Sequence, residues 1–290
     1  MKRIAALWQS VSTVLAREGV PGTRAFGVYV PYAYPETLQA LGEGDTLGWL
    51  EARMASERER YLERLVQARA HAPLFASWRH ADPADVSRPR FDQRWFSGVD
   101  GAMAYAMVRQ VRPRRIIEVG SGHSTRFLAR AICDGGLSTH LHSIDPQPRR
   151  DIDALCDAVT RASVTVVDLE VFSQLGHDDV LFVDGSHALL PGSDVDHLFT
   201  RVFPALEAGV LIHVHDVFLP AGYPRAWQRR AYTEQSVLAA MLGAGERYAI
   251  VCPNAWLRRN EQAAVGALEA DLAPGALESS FWMRVRAGSD

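Results

Sequence analysis

The chain has few cysteines, a single lysine and no excess of positive charge. Its three cysteines, Cys133, Cys156 and Cys252, are scattered and form no C-x-x-C pair, so we expect reduced thiols in a cytoplasmic protein. Lysine occurs only at Lys2, and the net charge of the 290 residues is −3. This charge provides no general attraction to nucleic acid. No apolar run reaches the length that is needed to span a membrane.

Hydrophobic residues make up 48% of the chain and charged residues 22%, which is typical of a globular protein. Residues 1–96 and residues 97–290 differ in pattern. In the first part, Thr46 precedes apolar residues at helical spacing. We therefore expect an N-terminal helical cap, or an arm through which the chain forms a homo-oligomer. The second part alternates segments of strand and helix character, which predicts a separate α/β domain.

Seven segments of the second part have the composition of strands. They are 115–119, 139–144, 164–167, 180–183, 210–214, 248–252 and 280–285. Helical patterns lie between most of them, including one at 154–162 before the third strand. Repeated strand–helix units build a parallel sheet with helices on both faces, so the pattern predicts a doubly wound, mostly parallel, seven-stranded α/β sheet. Ligands of such sheets bind at the carboxyl ends of the strands.

The most informative segment joins the first predicted strand to the helix that follows it. The strand is followed by Gly120, Ser121 and Gly122, and a helical pattern begins at Ser124. Glycines allow a ligand to approach the backbone, and a helix N-terminus offers N–H groups that have no partner within the helix. Asp145, at the end of the second strand, is placed to bind the ribose hydroxyls of a nucleotide-like cofactor.

Two features of this turn disfavour a dinucleotide. A dinucleotide-binding turn has a third glycine or an alanine at the position where this chain has Thr125. The turn also begins with Glu118, and a carboxylate suits a cationic ligand better than a diphosphate. An NAD-linked oxidoreductase is therefore the less favoured interpretation.

The segment from Glu118 to Gly122, followed by Asp145 and Asp168, resembles the S-adenosylmethionine site of class I methyltransferases. The resemblance covers the second part of the chain and implies a Rossmann-like fold. It implies that the glycine turn lies against the methionine part of the cofactor and that Asp145 binds the ribose. It also implies that Asp168 and Leu169 meet the adenine. The implied cofactor-binding residues are Glu118, Gly120, Ser121, Gly122, Ser124, Asp145, Asp168 and Leu169, with Ser124 in the place of the family's usual third glycine.

Polar residues also follow the fourth and fifth predicted strands. Asp184 and His187 come after the fourth strand, and His215 and Asp216 come after the fifth. These strands neighbour the first strand in a doubly wound sheet. We therefore expect the four side chains to converge beside the cofactor.

The segment from Asp184 to His187 resembles the divalent-metal-dependent O-methyltransferases that act on sugars and other natural-product polyols. This resemblance implies that Asp184 and Asp216 bind a metal ion, which is Mg²⁺ in that family, and that His187 is the general base. His215 stands where the family usually has an acid. Because imidazole favours Fe, Mn, Zn or Ni over Mg, a ligand at His215 would change the preferred ion.

The segment after the fifth strand is rich in aromatic and arginine side chains, of which Tyr223, Trp227 and Arg230 are candidates for substrate contact. This composition is typical of a substrate lid, and a packed surface loop is equally consistent with it. The sequence thus predicts a cytoplasmic, S-adenosylmethionine-dependent and metal-assisted O-methyltransferase of a small hydroxylated metabolite. A metal-independent methyltransferase and a metal-dependent oxidative enzyme on the same fold stay open.

Overall fold

The computed structural model describes residues 33–34, 37–79, 82, 84–96, 98–148, 151–270, 272 and 277–288. The elements below all belong to one compact unit, Leu41–Asp290. The first 32 residues of the predicted cap lie outside the described residues. Within the described ranges, every helix is too short or too polar to cross a lipid bilayer.

Seven strands form one sheet. They are β1 (Arg115–Val119), β2 (His140–Ile144), β3 (Ala158–Thr160), β4 (Val180–Val183), β5 (Leu211–Val214), β6 (Tyr248–Pro253) and β7 (Phe281–Val285). Their order in the sheet is β3-β2-β1-β4-β5-β7-β6. Strands β1 to β5 pair in parallel, and β7 is antiparallel to both β5 and β6. The predicted doubly wound, mostly parallel, seven-stranded sheet is confirmed.

The register of the central strands brings their carboxyl ends to one level. Val119 of β1 pairs with Val183 of β4, and Val183 pairs with Val214 of β5. The residues that follow these strands, among them Asp184 and His215, therefore leave the sheet side by side. Strands β4 and β5 are buried along their whole length, and His213 is the one polar residue in the two strands.

Eleven helical segments surround the sheet in the described part of the chain. They are α1 (Gly48–Ser56), α2 (Arg58–Arg69), α3 (Ala72–Ala76), α4 (Gly98–Val111), α5 (His123–Gly135), α6 (Leu169–Ser173), α7 (Asp194–His197), α8 (Phe203–Ala205), α9 (Glu234–Gly243), α10 (Asn254–Asn260) and α11 (Gln262–Glu269). A π-helical stretch (Leu198–Val202) joins α7 to α8. Short 3₁₀ turns cover Asp153–Leu155, Val164–Val166 and Arg225–Arg230.

The helix predicted after Thr46, within the cap, is present as two helices, α1 and α2, which are separated at Glu57. Its predicted apolar face is buried, including Leu50, Met54, Tyr61 and Leu65. These side chains belong to the same hydrophobic cluster as the strands. The domain boundary predicted after residue 96 stays a prediction.

An aromatic group joins α3 to α4 and α5. The ring of Phe75 lies 5.5 Å from Trp78, 5.9 Å from Phe91 and 5.6 Å from Tyr105, between centroids. Phe91 in turn lies 5.2 Å from Phe127 of α5. Aromatic pairs at these separations add to the stability that area burial provides. The short helix α3 is therefore held on the main core by aromatic contacts.

Two predicted elements near the third strand are wrong. The segment 154–162 is not a helix, because Ala158–Thr160 forms β3 and pairs with β2. The segment 164–167 is not a strand, because Val164–Val166 forms a 3₁₀ turn in which the Ser163 side chain accepts the N–H of Thr165. The β-branched run suggested a strand, but pairing with β2 decided which residues formed it.

Replacing Phe75 by alanine tests whether α3 shares one core with the sheet. Phe75 is fully buried, and we expect Phe75→Ala to lower the free energy of unfolding by about 3–5 kcal/mol in a single transition. Urea denaturation measures this. Val66→Ala, at a residue 70% exposed, is the control and should stay within about 0.5 kcal/mol of wild type. A separate early transition in the Phe75 variant would contradict a shared core.

Candidate active site

The turn after β1 requires glycine at its first position. Gly120 has a φ of +80°, and a Cβ there would lie 1.9 Å from the carbonyl oxygen of Asp184. The chain that leaves β4 therefore passes directly against the turn. Gly122 differs, since a Cβ there would meet no atom within 4 Å. That side of the turn faces open space in which a ligand fits.

Glu118 holds the turn together from inside the protein. The hydroxyls of Ser124 and Thr125 each donate to its carboxylate at 2.6 Å, and the N–H of Gly122 donates to the Thr125 hydroxyl at 3.0 Å. Burial raises the pKa of Glu118 to about 8, although the hydroxyl hydrogen bonds oppose this shift. The Thr125 hydroxyl therefore links Glu118 to Gly122, a role that the glycine found at this position in dinucleotide sites could not perform.

A cavity of about 570 Å³ opens at the carboxyl edge of the sheet, a volume within the range of cofactor pockets. The predicted site residues that line it are Gly120, Ser121, Asp145, Asp184, His187, His215, Asp216 and Arg230. A smaller cavity of about 160 Å³ lies at the glycine turn. Its lining includes Ser121, Gly122 and Ser124, together with Trp95 and Asp184.

Asp145 is fixed at the wall of the large cavity. One carboxylate oxygen accepts the N–H of Ser121 at 2.8 Å, and the other accepts the N–H of Gln147 at 2.8 Å. These bonds tie the end of β2 to the glycine turn. The carboxylate is therefore a preorganised hydrogen-bond acceptor.

Asp168 and Leu169 lie in neither of these two cavities. Asp168 caps α6 by accepting the N–H of Glu170 at 3.0 Å, and Leu169 is the first residue of that helix. The strand assignment that placed them at the cavity edge is wrong, since β3 ends at Thr160. Residues 163–165 line the cavity in their place.

The four polar residues after β4 and β5 meet in one group, which we call the acid–imidazole cluster. His187 Nε2 lies 3.3 Å from Asp184 Oδ1 and 3.4 Å from Asp216 Oδ2. His215 Nδ1 lies 3.5 Å from Asp184 Oδ1 and 3.4 Å from Asp216 Oδ1. Each imidazole thus contacts both carboxylates.

Two members of the cluster have unusual backbone conformations. His187 has a φ of +61° and Asp216 a φ of +57°. Left-handed conformations cost energy for residues other than glycine and gather at functional sites. The His187 carbonyl accepts the N–H groups of Thr233 and Glu234 at 2.9 and 3.1 Å. The strained residue is therefore tied to the start of α9.

Two further buried carboxylates contact the ring nitrogens that face away from the cluster. The sequence did not indicate either of them as a site residue. Glu234 Oε2 lies 2.9 Å from His187 Nδ1, and Asp100 Oδ2 lies 3.4 Å from His215 Nε2. Asp100 also accepts the N–H of Ser279 at 2.8 Å. For Asp100, the signal in the sequence was a carboxylate within the otherwise apolar start of α4. A carboxylate that is buried with such a helix face needs a hydrogen-bonding or charged partner.

These contacts set the charges of the cluster. Burial alone would lower the pKa of both imidazoles. Hydrogen bonds to Asp184 and Glu234 raise the pKa of His187 well above its ordinary value, and the charges of Asp184 and Asp216 do the same for His215. Burial would raise the pKa of Asp184, but the two imidazoles hold it well below its usual range. The cluster places imidazolium and carboxylate charges side by side.

Of the three predicted substrate contacts, one lines the large cavity. Arg230 Nη1 lies 3.9 Å from Asp216 Oδ2, and its guanidinium stacks 3.7 Å above the Trp227 ring. Trp227 and Tyr223 lie outside the cavity lining. Tyr232, which was not predicted, lines the cavity and packs 4.6 Å from the His187 ring, between centroids.

The acid–imidazole cluster contains side chains that bind metal ions, but they are not arranged in the geometry of a metal site. In the part of the chain that the structure describes, no group of three or more His, Cys, Asp or Glu side chains is arranged to hold a metal ion. Two carboxylates and two imidazoles are nevertheless the donor types that divalent transition ions use. The residues present therefore fit such an ion by their chemistry.

The raised pKa of Glu118 makes stability depend on pH. A folded-state pKa of about 8, above the ordinary value of 4.5, means that this contribution is complete at low pH and is lost as pH rises through 8. We expect Glu118→Gln to remove this loss. Urea denaturation of both proteins between pH 6 and 9 measures it, and equal pH slopes would contradict the assignment.

One family model matches the part of the chain that contains this arrangement. Residues 117–217 match a family model described as a methyltransferase domain. None of the curated proteins that were compared matches the chain.

Three solved structures illustrate the similarities found. The SAH-bound methyltransferase PaMTH1 of Podospora anserina is 16% identical, with 90% of this chain and 100% of that chain covered and a TM-score of 0.42. The structure of cmcI-N160 with SAH is 17% identical, with 64% of this chain and 77% of that chain covered and a TM-score of 0.38. The structure of the plantazolicin methyltransferase BpumL with SAH is 13% identical, with 77% of this chain and 98% of that chain covered and a TM-score of 0.38.

The matched segment runs from β1 to just beyond β5 and contains both the glycine turn and the acid–imidazole cluster. Residues 117–217 are thus similar to a methyltransferase domain, and the seven-stranded sheet that they help to build has the Rossmann-like fold of class I methyltransferases.

Proposed function

We propose that the protein is an S-adenosylmethionine-dependent O-methyltransferase that acts, with a divalent metal ion, on a small hydroxylated metabolite such as a sugar, polyol or natural product. The observation that carries the proposal is the shared cavity. Asp145 and the glycine turn form one part of its lining, and the acid–imidazole cluster forms another. A cofactor and an acceptor hydroxyl would therefore meet in one cavity.

The cofactor fits the residues around the turn. Asp145 offers a fixed carboxylate to ribose hydroxyls, as in other nucleotide sites of this fold type. Open space beside Gly122 admits the methionine part. Asp184, which lines both the large and the small cavity, supplies negative charge close to the place that the sulfonium would occupy.

His187, in its neutral form, is the residue that we assign to the acceptor proton; a divalent cation on Asp184 would neutralise part of the negative charge that raises the pKa of His187. Glu234 holds its Nδ1 at 2.9 Å, so Nε2 faces the cluster. A positioned base contributes about 10²- to 10⁴-fold to such a proton transfer. Tyr232 packs against the ring and restricts its movement.

Asp184, Asp216 and His215 are the residues that would hold the ion. A divalent cation stabilises an alkoxide, as it lowers the pKa of bound water from about 16 to about 7. His215 among the ligands favours Fe, Mn or Zn over Mg. Arg230, which lines the same cavity 3.9 Å from Asp216, would contact the acceptor.

One observation favours a second candidate, methyl transfer without metal. The carboxylates of Asp184 and Asp216 contact both imidazoles directly. Both carboxylates therefore already have imidazole partners within the protein. In this version His187 would first release to solvent the proton that Asp184 and Glu234 hold on it, and the neutral ring would then accept the proton of the acceptor hydroxyl.

Removing the Asp145 carboxylate tests the cofactor assignment. We expect Asp145→Ala to weaken binding of S-adenosylhomocysteine about 10- to 100-fold, because charge-assisted hydrogen bonds to the ribose are lost. Isothermal titration calorimetry measures this without an acceptor. Asp168→Ala is the matched control, since Asp168 caps α6 outside the cavity, and should change affinity less than about twofold. Equal losses in both variants would refute the role of Asp145.

Metal titration separates the two candidates. In the metal-dependent version the wild type binds Mn²⁺ or Zn²⁺, and Asp216→Ala weakens this binding at least about 10-fold. Glu246→Ala, at a side chain 76% exposed, is the control and should bind like wild type. His187→Ala should keep S-adenosylhomocysteine binding and lose methyl transfer to a polyol panel. A wild type that binds none of Mg²⁺, Mn²⁺ and Zn²⁺ would leave the metal-free candidate.

A further inference from the structure

Asp100 is a buried carboxylate behind the acid–imidazole cluster, and the proposed chemistry gives it no role. It lies in the first turn of α4 and is 2% exposed. Its Oδ2 lies 3.4 Å from Nε2 of His215. Asp184 and Asp216 lie 3.5 and 3.4 Å from the other nitrogen of that ring, Nδ1. The two nitrogens of one imidazole therefore have different partners.

The position of Asp100 is set by contacts that do not involve His215. Its Oδ2 accepts the N–H of Ser279 at 2.8 Å. Its Oδ1 accepts the N–H of Ser280 at 3.1 Å and the side-chain amide of Asn254 at 2.7 Å. These donors belong to the segment that enters β7 and to the first residue of α10. The carboxylate is thus held by two other parts of the sheet and its helices.

The two imidazoles of the cluster have outer partners that differ. Glu234 contacts His187 Nδ1 through Oε2, and its Oε1 has no hydrogen-bond partner among the described residues. Both oxygens of Asp100, in contrast, accept N–H groups. A partner that is itself fixed gives His215 one orientation, and a metal-binding imidazole needs such a partner on its second nitrogen.

The Ser279 hydroxyl favours the same orientation of the His215 ring. It donates its single proton to Asp216 Oδ1 at 3.3 Å. It therefore presents only lone pairs to His215 Nε2, which lies 3.4 Å away. Asp100 and Ser279, the two groups that contact Nε2, are thus both hydrogen-bond acceptors.

This arrangement decides which nitrogen of a neutral His215 carries the proton. A neutral imidazole has one N–H donor and one nitrogen with a free lone pair. Because acceptors face Nε2, the proton stays on Nε2. The lone pair is then on Nδ1, which is the nitrogen close to Asp184 and Asp216.

We propose that Asp100 is a positioning residue that makes Nδ1 of His215 a ligand of the divalent metal ion. The assignment rests on the metal-dependent version of the proposed function. It adds a residue of α4, which lies before the segment that matches the methyltransferase family model. It also gives the two imidazoles separate tasks, since His187 has the acceptor proton and His215 has the ion.

Replacing Asp100 by asparagine removes the negative charge and keeps the shape. We expect Asp100→Asn to bind Zn²⁺ and Mn²⁺ about 10- to 100-fold more weakly than wild type, which is the usual effect of losing such a partner. Its affinity for S-adenosylhomocysteine should stay within about twofold of wild type, because Asp100 lines neither the large nor the small cavity. Isothermal titration calorimetry measures both affinities.

Asp179→Asn is the matched control. Asp179 is also fully buried and accepts three N–H groups, those of Arg114, Arg115 and Gly176. It precedes β4 and so lies at the opposite end of that strand from the cluster. This variant should melt at a lower temperature than wild type and keep the Zn²⁺ affinity of wild type within about twofold. An equal loss of Zn²⁺ affinity in both variants would overturn the assignment.

A double-mutant cycle shows whether Asp100 acts through His215. In a His215→Ala background, Asp100→Asn should change Zn²⁺ affinity less than about twofold, because the ring that it positions is absent. A loss as large as in the wild-type background would contradict this route.

Nuclear magnetic resonance of the Zn²⁺-loaded wild type, with ¹⁵N-labelled histidine, observes the ring directly. His215 should carry its proton on Nε2 and bind the ion through Nδ1, and this measurement decides the outcome if Asp100→Asn does not fold. Binding through Nε2, or an unchanged Zn²⁺ affinity in Asp100→Asn, overturns the assignment while the metal-dependent function stands. A wild type that binds S-adenosylhomocysteine but none of Mg²⁺, Mn²⁺ and Zn²⁺ overturns both.

Discussion

The close approach of β4 to the glycine turn is the constraint on which the site depends. A Cβ at Gly120 would lie 1.9 Å from the Asp184 carbonyl, so only glycine allows the two chain segments to touch. This contact places Asp184 between the two cavities that flank the turn. The same peptide that closes the turn thus starts the acid–imidazole cluster. Cofactor geometry and acceptor chemistry are coupled through one backbone contact.

The cluster persists because each buried charge has an opposite charge beside it. Asp184 and Asp216 lie between His187 and His215, and the outer nitrogens of those rings meet Glu234 and Asp100. Breaking one such pair leaves an uncompensated buried charge, which costs about 3–5 kcal/mol. The elements that carry these groups, α4, α9 and the ends of β4 and β5, are therefore fixed relative to one another by electrostatics as well as by packing.

The sequence was enough to predict that Asp184, His187, His215 and Asp216 converge. It did not reveal that Glu234 and Asp100 contact the two imidazoles. Parallel strands bring their carboxyl ends together, so Asp184 and His215 follow from topology alone. Glu234 is 47 positions from His187, and no local pattern predicts a contact between a helix start and a strand end at that separation. The segment around β3 was mispredicted because β2 selects Ala158–Thr160 over the more strand-like Val164–Val167. Propensity describes a residue, whereas pairing depends on its neighbours.

His213, in β5, and His215, just after it, have pKa values shifted in opposite directions by their surroundings. His213 and His215 are two positions apart and extend to the same side of the strand, with ring centroids 6.0 Å apart. His213 stacks 3.7 Å from Phe182, and burial, with the charge of His215, lowers its pKa well below the ordinary value. His215 faces carboxylates, which raise its pKa. A neutral ring beside the cluster adds no positive charge to it, so the apolar stack around His213 keeps a third imidazolium from forming next to His215.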